Sequence, residues 1–160
     1  MTTHPPFSDL DLTALRIAME EARAAGARDE VPIGAVIVNR ETGAIVARAG
    51  NRTRELDDPS AHAEILVIRD VCAQRGAQRI PGHDLYVTVE PCTMCVAAIS
   101  FARIDRVVFG TVDATGGAVV SGVRFYNSPT CHHRPVVAGP VPDVQVECAT
   151  ILQDFFKTRR

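Results

Sequence analysis

The sequence predicts an α/β protein, with a mixed sheet covered by helices on both faces. Short apolar runs rich in β-branched residues alternate with segments of helical periodicity, and a hairpin pattern comes first. The 160 residues suffice for one domain with a sizeable core, and are too few for two comfortable ones. We therefore expect a flexible N-terminal tail over residues 1–10 and a single domain over residues 11–160.

Each predicted element has its own local pattern. Helices show apolar residues every three or four positions, and strands are short β-branched runs bounded by turn residues. Ser8 or Asp9 is the expected cap of the first helix. In chain order the expected elements are helix 10–26, strand 31–38, its hairpin partner 44–49, helix 61–74, strand 84–89, helix 92–102, strand 104–109, a short edge strand 143–146 and helix 147–158.

Composition and charge exclude several function classes. A formal net charge of −2 disfavours a general nucleic-acid binder, although one structured RNA could still bind through a local basic patch. No apolar run is long enough to predict a membrane span, and the N-terminus lacks the pattern of a secretory signal. The odd count of 5 cysteines, with one close pair, favours thiols and a metal over a disulfide framework. We expect a cytoplasmic protein.

Two short motifs carry the predicted chemistry. They are His62-Ala63-Glu64 and Pro91-Cys92-Thr93-Met94-Cys95, each at the start of a predicted helix. Cysteines at positions i and i+3 lie on one helix face, so one metal ion can bridge both. A helix N-terminus also favours the thiolate form that a metal needs. Taken alone, this cysteine pair fits a redox dithiol, half of a structural zinc site or a chance spacing.

The addition of His62 favours a catalytic metal. With Cys92 and Cys95 it makes three protein ligands, which leave the fourth tetrahedral position of a zinc ion for water. A structural zinc site would need a fourth Cys or His, for which His132 and His133 are the only credible candidates. Neither has a spacing relation to the cysteine pair.

Glu64 is predicted to be the proton carrier. It follows His62 by two residues, so on a helix it points about 200° away around the axis. Glu64 is therefore badly placed to bind the same metal ion as His62. A carboxylate near a zinc-bound water can instead take and return that water's proton. An isolated glutamate at a helix start would otherwise be an exposed, charge-compensating residue.

The H-x-E and P-C-x-x-C arrangement resembles the zinc-dependent cytidine and deoxycytidylate deaminase family. Within it, the chain is most similar to the deaminases that act on adenosine in tRNA, over about residues 12–160. Residues 121–135 resemble the alphaproteobacterial members. The segments that carry the similarity are Val31–Val36, Gly50–Arg52, Ala61–Ile65, Leu85–Cys95, Arg106–Gly110 with Asp113, and Asp154–Arg160.

The resemblance implies a fold, a cofactor and a reaction. The fold is the cytidine deaminase-like three-layer α/β/α arrangement with a mixed five-stranded sheet. The cofactor is one Zn²⁺ per chain, held by His62, Cys92 and Cys95. The reaction is hydrolytic deamination of adenosine to inosine at the wobble position of a tRNA anticodon loop, with zinc-activated water and Glu64 as proton carrier.

Substrate-binding residues are likewise implied by the resemblance. Asn51 would read the base through its side-chain amide, although a turn residue after a strand is the alternative. Val31, Pro32 and Val89 would wall the pocket, or they could be ordinary core residues.

Three further residues, Asp113, Phe156 and Arg159, are the expected RNA contacts. Phe156 could stack beside a splayed base or lie in the core of an amphipathic helix. Arg159 belongs to a C-terminal basic cluster that could meet phosphates or form a solvated tail. The resemblance also implies a homodimer and, as a partner, the tRNA anticodon stem-loop.

Other functions stay open on the sequence. A guanine, cytosine or deoxycytidylate deaminase of the same fold would use the same metal chemistry, although the basic C-terminal segment favours RNA. An inactive zinc-binding subunit would not need Glu64, and a thiol redox protein would not need His62. Cys72, Cys131 and Cys148 are assigned structural or incidental roles, and the glycines at 116–122 match no phosphate-binding loop.

Overall fold

The computed structural model describes residues 7–159, in which one five-stranded sheet lies between two pairs of helices. The sheet order is β2-β1-β3-β4-β5; β1 is antiparallel to both its neighbours, and β3, β4 and β5 run parallel. This confirms the predicted three-layer α/β/α fold with a mixed sheet. The elements are α1 (Asp9–Ala27), β1 (Gly34–Asn39), β2 (Ile45–Gly50), α2 (Ala63–Arg75), β3 (His83–Val89), α3 (Thr93–Phe101), β4 (Arg106–Thr111), a 3-10 helix (Phe125–Asn127), β5 (Val136–Ala138) and α4 (Pro142–Lys157).

The side chains of the central strands divide the core into two clusters. Val36 and Tyr86 point to the face that α1 and α4 cover. Ala35 and Val87 point to the opposite face, which α2 and α3 cover. Every residue of β3 is buried, as expected for a central strand with helices on both sides. Among residues 7–159, no helix is long and apolar enough to cross a membrane.

The first helix begins earlier than expected. Ser8 caps it, and its hydroxyl accepts the Asp11 backbone N–H while the Asp11 carboxylate accepts the Ser8 N–H. Ser8 is thus the cap, as predicted, but the assignment of residues 1–10 to a flexible tail is wrong for Asp9 and Leu10, which are helical. Residues 1–6 of that predicted tail lie outside the described residues.

Two predictions in the C-terminal part are wrong. The segment 143–146, expected as an edge strand, is the first turn of α4, which begins at Pro142 rather than at Glu147. Proline suits this first turn because the turn needs no N–H from it. Val144 and Cys148, four residues apart, then bury one face of the helix. The fifth strand is instead Val136–Ala138, which pairs with β4.

Candidate active site

Two helix N-termini meet at the predicted metal site. His62 is the residue that precedes α2, Cys92 precedes α3, and Cys95 lies in the first turn of α3. Nδ1 of His62 lies 3.6 Å from Sγ of Cys92 and 3.5 Å from Sγ of Cys95. The fold therefore brings together side chains that are 30 and 33 residues apart along the chain.

The spacing of these atoms fits a zinc ion. In a tetrahedral site with ordinary Zn–S and Zn–N bond lengths, a nitrogen and a sulfur ligand lie about 3.6 Å apart, as they do here. Between residues 7 and 159, no other His, Cys, Asp or Glu joins this group of three. His133, one of the two candidates for a fourth ligand of a structural site, instead contacts the Ile104 carbonyl through Nε2, at 2.7 Å. The residues present thus match a catalytic zinc site with one open position.

The electrostatics of the cysteine pair favour one thiolate. Hydrogen bonds from the Cys95 thiol and from His62 hold the pKa of Cys92 at about 4, against the opposing effect of its burial. The hydrogen bond to Cys92, together with burial, raises the pKa of Cys95. The lowered pKa of Cys92 favours its thiolate, the form that ligates metals.

Glu64 lies beside the site, within hydrogen-bond reach of Cys95, without joining the ligand group. Only 3% of the residue is exposed, and its Oε1 is buried without a hydrogen-bond partner among the described residues. Burial raises the pKa of Glu64, while the nearby His62 acts in the opposite direction. A buried carboxyl group with a free oxygen and a raised pKa suits proton transfer near neutral pH.

Sequence comparison places these residues in a known family. The profile of the cytidine and deoxycytidylate deaminase zinc-binding region matches residues 8–111. The tRNA-specific adenosine deaminase of Agrobacterium fabrum is 58% identical over 146 residues, which are 91% of this chain and 93% of that protein. This chain belongs to the cytidine and deoxycytidylate deaminase family.

Solved structures resemble the deaminase along most of its length. One, from a study of A-to-I editing by tRNA:A34 deaminases at the wobble position, has a TM-score of 0.84 and 58% identity, and the match covers 88% of this chain and 99% of that one. A guanine deaminase of Bacillus subtilis has a TM-score of 0.61 and 28% identity, over 89% of this chain and 93% of that one. The fold is thus shared by deaminases that are named for different substrates.

Asn51 of the deaminase lies at the base of α2. It is 5% exposed, and its Oδ1 accepts the N–H of Ala63, the first residue of that helix, at 2.8 Å. Its own backbone N–H donates to the Ile33 carbonyl. Asn51 therefore helps to fix the start of α2 next to His62. This bond uses only its Oδ1 atom, and its side-chain N–H groups take no part in it.

The three residues predicted to form the pocket wall differ in burial and in secondary structure. Val89 ends the buried strand β3 and is 2% exposed. Val31 and Pro32 precede β1, because that strand begins at Gly34, three residues later than predicted. Proline has no N–H for a sheet ladder, which explains the late start. Pro32 is buried and Val31 half-buried.

The expected RNA contacts lie on the surface of the deaminase. Phe156 is 46% exposed, so it is not the core residue of the alternative interpretation. Arg159 stacks over the Phe155 ring, 3.6 Å from its centroid, and donates to Asp29 at 2.7 Å. Asp113 is half-buried, and its Oδ1 accepts the backbone N–H groups of Thr115 and Gly116. Asp113 thus shapes its own loop.

One residue close to the zinc ligands was missed from the sequence. Glu90, two positions before Cys92, is 3% exposed and accepts hydrogen bonds from four backbone N–H groups and one hydroxyl. The donors lie 23 to 31 residues away. The only local signal was an acidic residue at the end of an otherwise buried strand.

Proposed function

We propose that this deaminase converts adenosine to inosine at the wobble position of a tRNA anticodon loop. The observation that carries the proposal is the cluster in which His62, Cys92 and Cys95 are spaced for zinc beside the buried carboxyl group of Glu64. The choice of tRNA as substrate is supported by relatives that are named tRNA-specific adenosine deaminases and cover over nine-tenths of the chain.

Zinc held by His62, Cys92 and Cys95 would supply a water molecule with a pKa near 7, and so a nucleophile at neutral pH. Glu64 is the residue that moves protons. Its free Oε1 takes a proton from the attacking water, and the raised pKa allows the carboxyl group to hold that proton. Glu64 then donates it to N1 of adenine and assists the departure of ammonia.

The base is held by residues around the start of α2. Asn51 has its Oδ1 committed to Ala63, so its side-chain N–H groups are the ones that would donate to the adenine ring. Val31, Pro32 and Val89 form the apolar wall in this proposal. Phe156 would meet a flanking base and Arg159 a phosphate, and Asp113 is the third expected RNA contact.

We propose that residues 9–160, from the start of α1 onward, form one deaminase domain that pairs with a second copy through α3. This helix has no charged residue, and the half-buried Ala97 and Ala98 lie between the exposed Met94 and Phe101. These positions share one face of the helix. Phe101 is 69% exposed, unusually open for a phenylalanine, and a second copy would cover it.

A tRNA substrate fits a cytoplasmic location.

The test is inosine formation in a synthetic anticodon stem-loop, measured beside ammonia release from free guanine, cytosine and deoxycytidylate. We expect turnover of the stem-loop with adenosine at the wobble position, and none when guanosine replaces it. Turnover of a free base together with an inert stem-loop would establish the rival activity. Sequencing of total tRNA after incubation would then identify which tRNAs are used.

A further inference from the structure

Glu90 connects the metal-binding segment to the loop after β4. It follows the last residue of β3 and precedes Pro91 and Cys92. Its backbone N–H donates to the Thr111 carbonyl at the end of the neighbouring parallel strand β4. The carboxyl ends of adjacent parallel strands are where open α/β sheets bind their ligands. The position of Glu90 therefore links the two chain segments that border this end of the sheet.

The carboxylate of Glu90 is fully engaged by loop 113–121. Its Oε2 accepts three consecutive N–H groups, those of Val119, Val120 and Ser121, each at 2.9 Å. Its Oε1 accepts the Asp113 N–H at 3.1 Å and the Ser121 hydroxyl at 2.9 Å. Consecutive N–H groups that converge in this way form a binding site for an anion, which the protein here supplies itself.

One glycine of this loop, Gly117, is explained by the same contact. A Cβ atom on Gly117 would lie 2.4 Å from Cδ of Glu90, so only glycine allows the backbone to pass this close to the carboxylate. Gly122, the residue directly after the loop, has a φ of 55°, a left-handed conformation that favours glycine. The glycine-rich stretch, which matches no phosphate-binding loop, wraps a buried glutamate instead.

The loop also contacts the segments that hold the zinc ligands. The N–H of Ala118 donates to the Pro91 carbonyl at 2.9 Å, next to Cys92. Ala118 and Val119 belong to the same apolar cluster as Ala63, the first residue of α2. A shift of the loop would therefore disturb the bond to the residue before Cys92 and the apolar cluster that the loop shares with α2 and α3.

We propose that Glu90 is a positioning residue that holds loop 113–121 as a wall of the substrate site, an inference that rests on the proposed function. It neither binds the metal nor touches the reacting atoms. Its carboxylate sets the place of Asp113, an expected RNA contact, through the backbone N–H of that residue.

The test uses two substitutions of graded severity. Glu90→Ala removes both acceptor oxygens. Glu90→Gln keeps one oxygen for the three consecutive N–H groups and turns its NH₂ toward Ser121, whose hydroxyl can rotate to accept, so that only the Asp113 N–H loses its acceptor. We expect the KM for the anticodon stem-loop to rise about tenfold in Glu90→Ala and less in Glu90→Gln, with kcat within about threefold of wild type.

Zinc content and amide hydrogen exchange complete the experiment. We expect one zinc per chain in both variants and faster exchange confined to loop 113–121. The control is Tyr86→Phe, a destabilising change on the opposite face of the sheet, which should leave KM unchanged. An unchanged KM in Glu90→Ala, or a loss of activity that added zinc restores, would overturn the proposal. An inert wild type would overturn the proposed function instead.

Discussion

At the scale of single residues, the metal site follows from short-range patterns. His62 and Glu64 are two positions apart, and Cys92 and Cys95 are three apart, so each pair is fixed by one helix start. The sequence therefore predicts both the three ligands and the separate role of Glu64. It does not predict the bond between Asn51 and Ala63, because that bond depends on how a loop packs against a helix 12 residues later.

The first prediction concerns Glu64. Glu64→Gln keeps the size of the side chain and removes its ability to carry a proton, so turnover should fall by about 10² to 10⁴. Zinc should stay at one per chain, since Glu64 is not among the three ligand residues. Inosine formation and metal analysis on the same sample check both parts. Near-normal turnover would show that another group carries the proton.

Asp11 leads to a prediction about pH and stability. Although burial acts to raise its pKa, hydrogen bonds from Arg106, Tyr86 and Ser8 lower it from 3.8 to about 2. Because the folded-state pKa is depressed, the stabilisation is present above the unfolded pKa and is lost as the pH falls through about 2. The difference amounts to about 2 kcal/mol in the free energy of unfolding at neutral pH.

Denaturant unfolding of wild type and Asp11→Asn at several pH values measures this effect. The wild type should lose about 2 kcal/mol more than the variant between about pH 5 and about pH 2. Parallel pH profiles for the two proteins would show that Asp11 is not the group responsible.

At the scale of elements, strands and helices with strong patterns were predictable and short ones were not. The alternation of apolar runs locates β1, β3 and β4 because their residues are buried in the described structure. β5 has only three residues, two of them exposed, so it carries no such pattern. The start of α4 could not be predicted because a proline such as Pro142 occurs both in loops and in the first turn of a helix.

The packing of α1 on β1 gives a prediction for Gly34. A Cβ atom there would lie 1.9 Å from the Ala18 carbonyl oxygen and 2.7 Å from the Ala22 nitrogen, both backbone atoms of α1. Gly34→Ala should lower the free energy of unfolding by roughly 1–3 kcal/mol or more, because the helix must move away from the sheet. Thermal or denaturant unfolding measures the change.

Gly26→Ala is the matched control for this substitution. Gly26 lies within α1, and its nearest neighbour would be Cβ of Pro32 at 3.3 Å, which needs only a small adjustment. Alanine is favoured over glycine in a helix by about 1 kcal/mol, so the control should be neutral or stabilising. Equal losses in the two variants would contradict the close approach of α1 to β1.

At the scale of the whole molecule, the exposed face of α3 predicts how two chains associate. Phe101→Asp places a charge on the proposed contact and should convert a dimer to a monomer in sedimentation experiments. Val146→Asp is the control, because Val146 is 77% exposed on α4, on the other side of the sheet. A variant that sediments like a dimeric wild type, or a monomeric wild type, would contradict the pairing through α3.

The three layers also explain why the active site is placed where it is. Helices α2 and α3 cover the same face of the sheet, and their N-termini converge, so that one helix start carries the histidine and the other the cysteines. Both ends offer partial positive charge, which favours the thiolate of Cys92. The site is thus a consequence of the fold and of two short motifs within it.

X-ray absorption at the zinc edge of the purified protein tests the central claim most directly. We expect one zinc per chain with two sulfur ligands at about 2.3 Å, one imidazole nitrogen at about 2.0 Å and one further oxygen. That set corresponds to Cys92, Cys95, His62 and an open position for water. A protein without stoichiometric zinc, or a zinc ion with four protein ligands, would contradict it.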